Sequence, residues 1–294
     1  MPKYINIAIV VSFFCLWLNS FLSKEIATII GFLLIFTFGI FHGANDLILI
    51  KSINISKNNY SFVSILTYYL IIILIGVSIF VFFPVFALIL FILVSSYHFG
   101  EQQLQYLEIL DNYLLMIITD FFYGILILLL LFNCHQFEVS EIIFEISSFR
   151  LPTNIISLSL NVFFVSLFLV FLYLYINNKT IRTKLLLEVF YLLVFQIIFM
   201  SSGLIWGFAI FFIIWHSIPS ILDQVTFLYK EISFRNFKKY FKSAFWYWII
   251  SLLGILLLFL FFKNEKIFNA LFFSFLAAIT FPHALVILKM FQKK

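Results

Sequence analysis

Charge is what this chain has least of. Only 11% of its 294 residues are charged, against about 25% in an ordinary soluble domain. A soluble protein of this length could not cover its surface with so few. Cysteine is almost missing too. Cys15 and Cys134 are too few for a disulfide framework and lack the CxxC spacing of a metal knuckle. Both read as small buried hydrophobes. There is no internal repeat and no linker long enough to set off a second domain, so residues 1–294 are expected to form a single transmembrane domain. The net charge of +5 does not point to nucleic acid. The basic residues sit between apolar spans, and no soluble part is left to hold one.

What the chain has instead is apolar length. Hydrophobic residues make up 64% of it. Runs such as Ile65–Phe83 and Leu114–Phe132 reach the roughly 20 residues that cross a bilayer as a helix. In lipid a helix satisfies its own backbone groups, so an all-α polytopic integral membrane bundle is expected. The pattern places crossings at 4–22, 26–50, 61–82, 84–103, 108–132, 154–177, 183–201, 203–229, 242–262 and 267–291. That is about ten, or eight if the tightly joined pair around Pro84 is one re-entrant hairpin. Lys3 before the first run imitates a signal peptide, but no small-residue cleavage site follows Cys15–Asn19, so this segment is expected to stay as the first crossing.

Basic residues test the count. With the N-terminus inside, fourteen of the eighteen fall on the inner side: Lys3, Lys51, Lys57, Lys179, Arg182, Lys184, Lys230, Arg235, Lys238, Lys239, Lys242, Lys289, Lys293 and Lys294. Lys24, Arg150, Lys263 and Lys266 fall outside. This satisfies the positive-inside rule with both termini cytoplasmic and puts the chain in a plasma membrane. The loop with Glu138, Glu141 and Glu145 then lies outside.

Five histidines are present. His42, His98, His216 and His283 lie in the second, fourth, eighth and tenth crossings. All four run in the same direction and sit roughly 8–20 Å from the inner ends at 1.5 Å per residue. Four helices each delivering one imidazole to a similar layer is how a helical bundle builds a metal site. Imidazole suits iron, copper, zinc and nickel. Asp46, Glu101 and Asp223 follow three of the histidines by four, three and seven residues, which puts each on its histidine's face of a helix. They could orient the rings by accepting the second ring N–H, or anchor the helix ends near the headgroups. His135 is expected to be an ordinary surface residue. Gly39 and Gly43 flank His42 in a small-xxx-small pattern that permits close approach. Pro219 and Pro282 should free the carbonyls of Trp215 and Ala278, four residues back, which points to an internal cavity beside the histidines. The 44 phenylalanines could line such a cavity for a long polyene, or simply face lipid.

The motifs Phe41-His42-Gly43-Ala44-Asn45-Asp46, Tyr97-His98-Phe99-Gly100-Glu101, Trp215-His216-Ser217-Ile218-Pro219-Ser220 with Asp223-Gln224, and Phe281-Pro282-His283 resemble the Brp/Blh family. These are membrane β-carotene 15,15′-dioxygenases of bacteria and archaea, and the similarity covers nearly the whole chain. The resemblance implies a non-haem iron enzyme that uses Fe(2+) and O2 to split β-carotene into two molecules of retinal for a rhodopsin in the same membrane. It makes His42, His98 and His216 iron ligands and matches His283 to the last motif. Asp46, Glu101 and Asp223 would stand behind the iron-bound rings, accepting their second N–H, and would not act as acid–base catalysts. One position departs: the family's third motif is often HxxxH, and here the second histidine is Ser220. Either His283 completes a four-histidine set or three histidines hold the metal. A haem-binding electron-transfer protein, and a transporter or structural membrane protein whose histidines pair with Asp46 and Asp223, are the competing readings from the residues.

Overall fold

A computed structural model describes residues 2–54, 61–107, 112–152, 154–261 and 265–293. Lys57, Lys263 and Lys294 of the charge count lie outside the described residues. Every regular element among the described residues is helical: α1 Pro2–Asn19, α2 Lys24–Leu34, α3 Asp46–Asn54, α4 Phe62–Phe82, α5 Pro84–Leu104, α6 Tyr113–Cys134, α7 Gln136–Ser147, α8 Ile155–Asn177, α9 Arg182–Met200, α10 Leu204–Ile210, α11 Ile218–Tyr229, α12 Phe234–Phe261 and α13 Glu265–Phe291. Eight spans among the described residues are long and apolar enough to cross a membrane, and Tyr4–Asn19 is a shorter apolar helix. The chain is therefore a polytopic, all-helical membrane protein. On α8 the large side chains of Leu158, Val162, Val165, Phe168 and Leu169 are exposed. In water that would be a sticky patch; in lipid it is the proper outer face of a spanning helix.

Two elements differ from the sequence-based expectation. The crossing expected at 26–50 is not one helix. After α2 the chain widens into a π-helical turn over Ile35–Gly39, and a non-helical turn over residues 42–45 precedes α3. Glycine at 39 and 43 weakens the helix here. The opening survives because protein groups take up what the helix releases: the Trp248 indole N–H donates to the Thr37 carbonyl at 2.9 Å, and Gln224 donates to the His42 carbonyl at 2.8 Å. Second, the segment with the three glutamates, expected as an outer loop, is helical (α7). Its apolar positions recur at helical spacing, burying Val139 and packing Ile143 and Ile146 on Phe80, Leu88 and Phe281. Around Pro84 the expected pair of crossings, 61–82 and 84–103, holds over the alternative of one re-entrant hairpin: Phe62–Phe82 and Pro84–Leu107 are each long and apolar enough to cross. α4 and α5 are each 21 residues, joined by Phe83 alone, and Pro84 takes the first helical position, where its missing N–H costs nothing.

The chain divides into two compact units. One comprises residues 1–34, 95–141 and 150–216; the other comprises 35–94, 142–149 and 217–294. In the first, α6 is the core, packing on α8, α9 and α10. Its interior face carries fully buried Tyr123, Leu126 and Ile127. The α5 and α6 backbones touch where Ser96 and Gly100 meet Asp120 and Gly124. A Cβ on Gly100 would lie 2.5 Å from the Asp120 carbonyl carbon, and one on Gly124 would lie 2.7 Å from that of Ser96. Only glycine fits at either position. In the second unit α13 packs on α4 and α3. Leu49, Ile53, Val286, Ile287 and Met290 form one buried cluster, and Phe41, Ile221, Val225, Tyr240 and Ala244 form another.

Candidate functional site

Each unit buries two of the four crossing histidines ring against ring. In the second unit, His42 stands in the turn after the π-helical segment, and His283 follows Pro282 inside α13. Their ring centroids are 4.6 Å apart at 89°. His42 is 6% exposed and His283 3%. In the first unit, His98 on α5 meets His216, near the end of the π-helical segment Phe211–Ser217, at 4.7 Å and 83°. His98 is 1% exposed and His216 2%.

The ring partners differ from the expected ones. His42 Nδ1 bonds the carbonyl of Gly39, not Asp46. Asp46 instead accepts from His283 Nδ1 at 2.8 Å through one carboxylate oxygen, while the other accepts from the Tyr69 hydroxyl at 2.8 Å. The turn at residues 42–45 explains the exchange. The four-residue spacing puts His42 and Asp46 on one face only if the helix continues between them, and it does not. Tyr69, on α4, completes a Tyr–Asp–His chain that no motif spacing announces. With Nδ1 engaged in both His42 and His283, Nε2 is the nitrogen each ring presents on its opposite side. Gly43 faces the His283 ring, but a Cβ there would sit 3.5 Å from Nδ1, an ordinary contact.

In the first unit, Glu101 is buried and accepts from the Tyr97 hydroxyl at 3.2 Å. Aromatic rings wall the histidine pair: Phe99 lies edge-on to His216 at 4.7 Å, and Phe212 stacks on it at 5.5 Å. The π-helical turn also changes which carbonyl Pro219 leaves without a donor. In an i→i+5 ladder it is Ile214 rather than Trp215, and the hydroxyl of Tyr4 donates to Ile214. A deeper polar cluster in this unit escaped the sequence reading. Glu188 is fully buried and accepts from the Tyr106 hydroxyl and, at 3.5 Å, from Gln103.

The remaining candidates lie on α11 or outside the spans. Asp223 and Ser220 are buried on α11, and Ser220 accepts a hydrogen bond from Gln224 at 3.1 Å. The residue at the second position of the HxxxH pattern is thus part of a side-chain network. His135 is not a plain surface residue. It caps α6, half-buried, with Nε2 3.0 Å from the Phe199 carbonyl. Burial lowers its basicity below the ordinary histidine range, while Glu138 opposes that shift.

His42 and His283 in one unit, and His98 and His216 in the other, are buried donors of the kind that hold a borderline divalent metal. Neutral nitrogen donors suit iron, zinc or copper, and a carboxylate behind one ring is the usual way a ligating histidine is oriented. No match was found among curated proteins or among solved structures. A family model described as beta-carotene 15,15'-dioxygenase matches residues 33–291, a stretch that holds all four histidines. By that match, which covers most of its length, the chain belongs to the beta-carotene 15,15'-dioxygenase family.

Proposed function

We propose that the protein cleaves β-carotene at its central 15,15′ double bond with O2, giving two molecules of retinal. The carbon–carbon double bond is replaced by two carbonyls, each taking one oxygen atom, and no proton leaves. His42, His98, His216 and His283 together hold one Fe(2+), which supplies the redox chemistry when bound. The observation that carries this reading is the burial of both histidine pairs, one in each unit, within a chain of this family.

The protein's own residues do the holding and positioning. Asp46 fixes the His283 ring and puts negative charge behind a cation that neutral imidazoles do not compensate. Tyr69 fixes Asp46 in turn. Glu101 and Asp223 supply further buried carboxylates on the helices of the motifs. Phe99 and Phe212 give the polyene an apolar wall beside His216, and this positioning sets where cleavage falls. Fourteen inner basic residues favour cytoplasmic termini and a bacterial plasma membrane. There the product would pass to a retinal-binding rhodopsin.

The test is expression in a bacterium that accumulates β-carotene, with chromatography of the extracted pigments. Retinal should appear as the sole product, and His42→Ala or His216→Ala should abolish it with insertion intact. Persistence of β-carotene beside inserted, iron-loaded protein would overturn the proposal.

A further inference from the structure

Both histidine pairs share a feature that the ring contacts do not reveal. In each unit, the side-chain amide of one glutamine donates to the main-chain carbonyl of one histidine. Gln102, one turn beyond His98 on α5, donates to the His216 carbonyl at 3.1 Å. Gln224, on α11, donates to the His42 carbonyl at 2.8 Å. Both glutamines are buried, at 6% and 0% exposure.

These two carbonyls belong to the histidines that sit where regular α-helix is lost. His42 lies in the turn over residues 42–45, and His216 in the π-helical segment. Main-chain groups at a break inside a membrane persist only where protein satisfies them. A glutamine placed there does two things. It satisfies the carbonyl, and it fixes the peptide plane from which that histidine's Cα–Cβ bond leaves.

The two carboxamides are anchored differently. Gln224 is nearly saturated. Its second N–H serves Ser220 at 3.1 Å, and its oxygen accepts from the Tyr240 hydroxyl at 2.8 Å. Tyr240 is itself fully buried and edge-on to Phe41, the residue before His42. Gln102 uses its N–H on His216, but its Oε1 is buried with no hydrogen-bond partner among the described residues. An acceptor left so costs about 1–3 kcal/mol.

We infer that Gln102 and Gln224 are positioning residues of the metal centre, each aiming one imidazole through its main-chain carbonyl. The inference rests on the proposed metal reading and adds to it the elements that hold His216 and His42 in place.

The test is Co(2+) titration of the detergent-purified, metal-stripped full chain, followed by its visible absorption and by thermal unfolding. Gln102→Met and Gln224→Met remove the N–H donor at nearly constant size. Each is expected to weaken Co(2+) binding by about 10–100-fold and to shift the ligand-field bands. Gln103→Met, which loosens only the Glu188 cluster, should lower thermal stability and leave affinity and spectrum unchanged. If a methionine variant does not fold, Gln102→Asn and Gln224→Asn, whose amides fall one methylene short of the carbonyl, replace it, with the same expectation. Wild-type affinity and spectrum in the folded variants would overturn the inference and leave the metal reading standing. A wild-type chain that binds no Co(2+) and no Fe(2+) would overturn both.

Discussion

Gly100→Ala is the smallest change with the largest expected consequence. Its Cβ would sit 2.5 Å from the Asp120 carbonyl carbon, where carbon atoms ordinarily stand about 3.5–4 Å apart. The obstacle is main chain, so no rotamer change relieves it, and α5 must retreat from α6 by about 1 Å. Overpacking of this kind costs about 1–3 kcal/mol. The upper end applies because Gly124, on the facing helix, has the same lack of room against Ser96. The displaced segment carries His98 two residues away and Gln102 two residues beyond. A 1 Å error at a ligand is enough to impair a metal site. Thermal unfolding in detergent should therefore fall clearly, and bound iron should fall with it. Gly254→Ala is the control, since nothing lies within 4 Å of a Cβ there, and it should behave as wild type. A Gly100→Ala protein with wild-type stability and full iron content would refute the account of the α5–α6 contact.

Asp46→Asn should weaken metal binding by about 10–100-fold, and Tyr69→Phe by less, both measured by metal titration; equal effects would mean that Tyr69 does more than hold Asp46. Tyr4→Phe removes the donor to Ile214 and should cost about 1–3 kcal/mol of stability, read by thermal unfolding, with metal content unchanged. Ser220→His restores the HxxxH spacing but displaces a buried hydroxyl from Gln224. It should destabilise the protein and lower retinal yield in the carotene-accumulating host.

The spans were legible because lipid leaves a helix little choice. Length and hydropathy mark α4, α5 and α8 almost residue for residue, and α6 less closely, its start expected at 108 and found at Tyr113. The four histidines were legible as well, since an imidazole in an apolar run stands out. Their partners were not. Asp46 was assigned to His42 on helical spacing, which fails once residues 42–45 leave the helix. Its true partner, His283, is 237 residues away in the chain. Gln102, Gln224 and Tyr69 act on groups far along the chain, two of them on carbonyls, and no periodicity records that. The helix α7 was hidden by its acidic residues, although Val139, Ile143 and Ile146 carry the right spacing. The Pro219 carbonyl was misassigned by one residue because a π-helical turn cannot be read from composition.

The central claim is that both histidine pairs serve one metal. Iron content of the purified wild-type chain, beside His42→Ala from one unit and His98→Ala from the other, tests it most directly. The account predicts one iron per wild-type chain and its loss, or a large fall in occupancy, in either variant. Iron retained at wild-type occupancy in either variant, or two irons per chain of which each variant loses one, would contradict it.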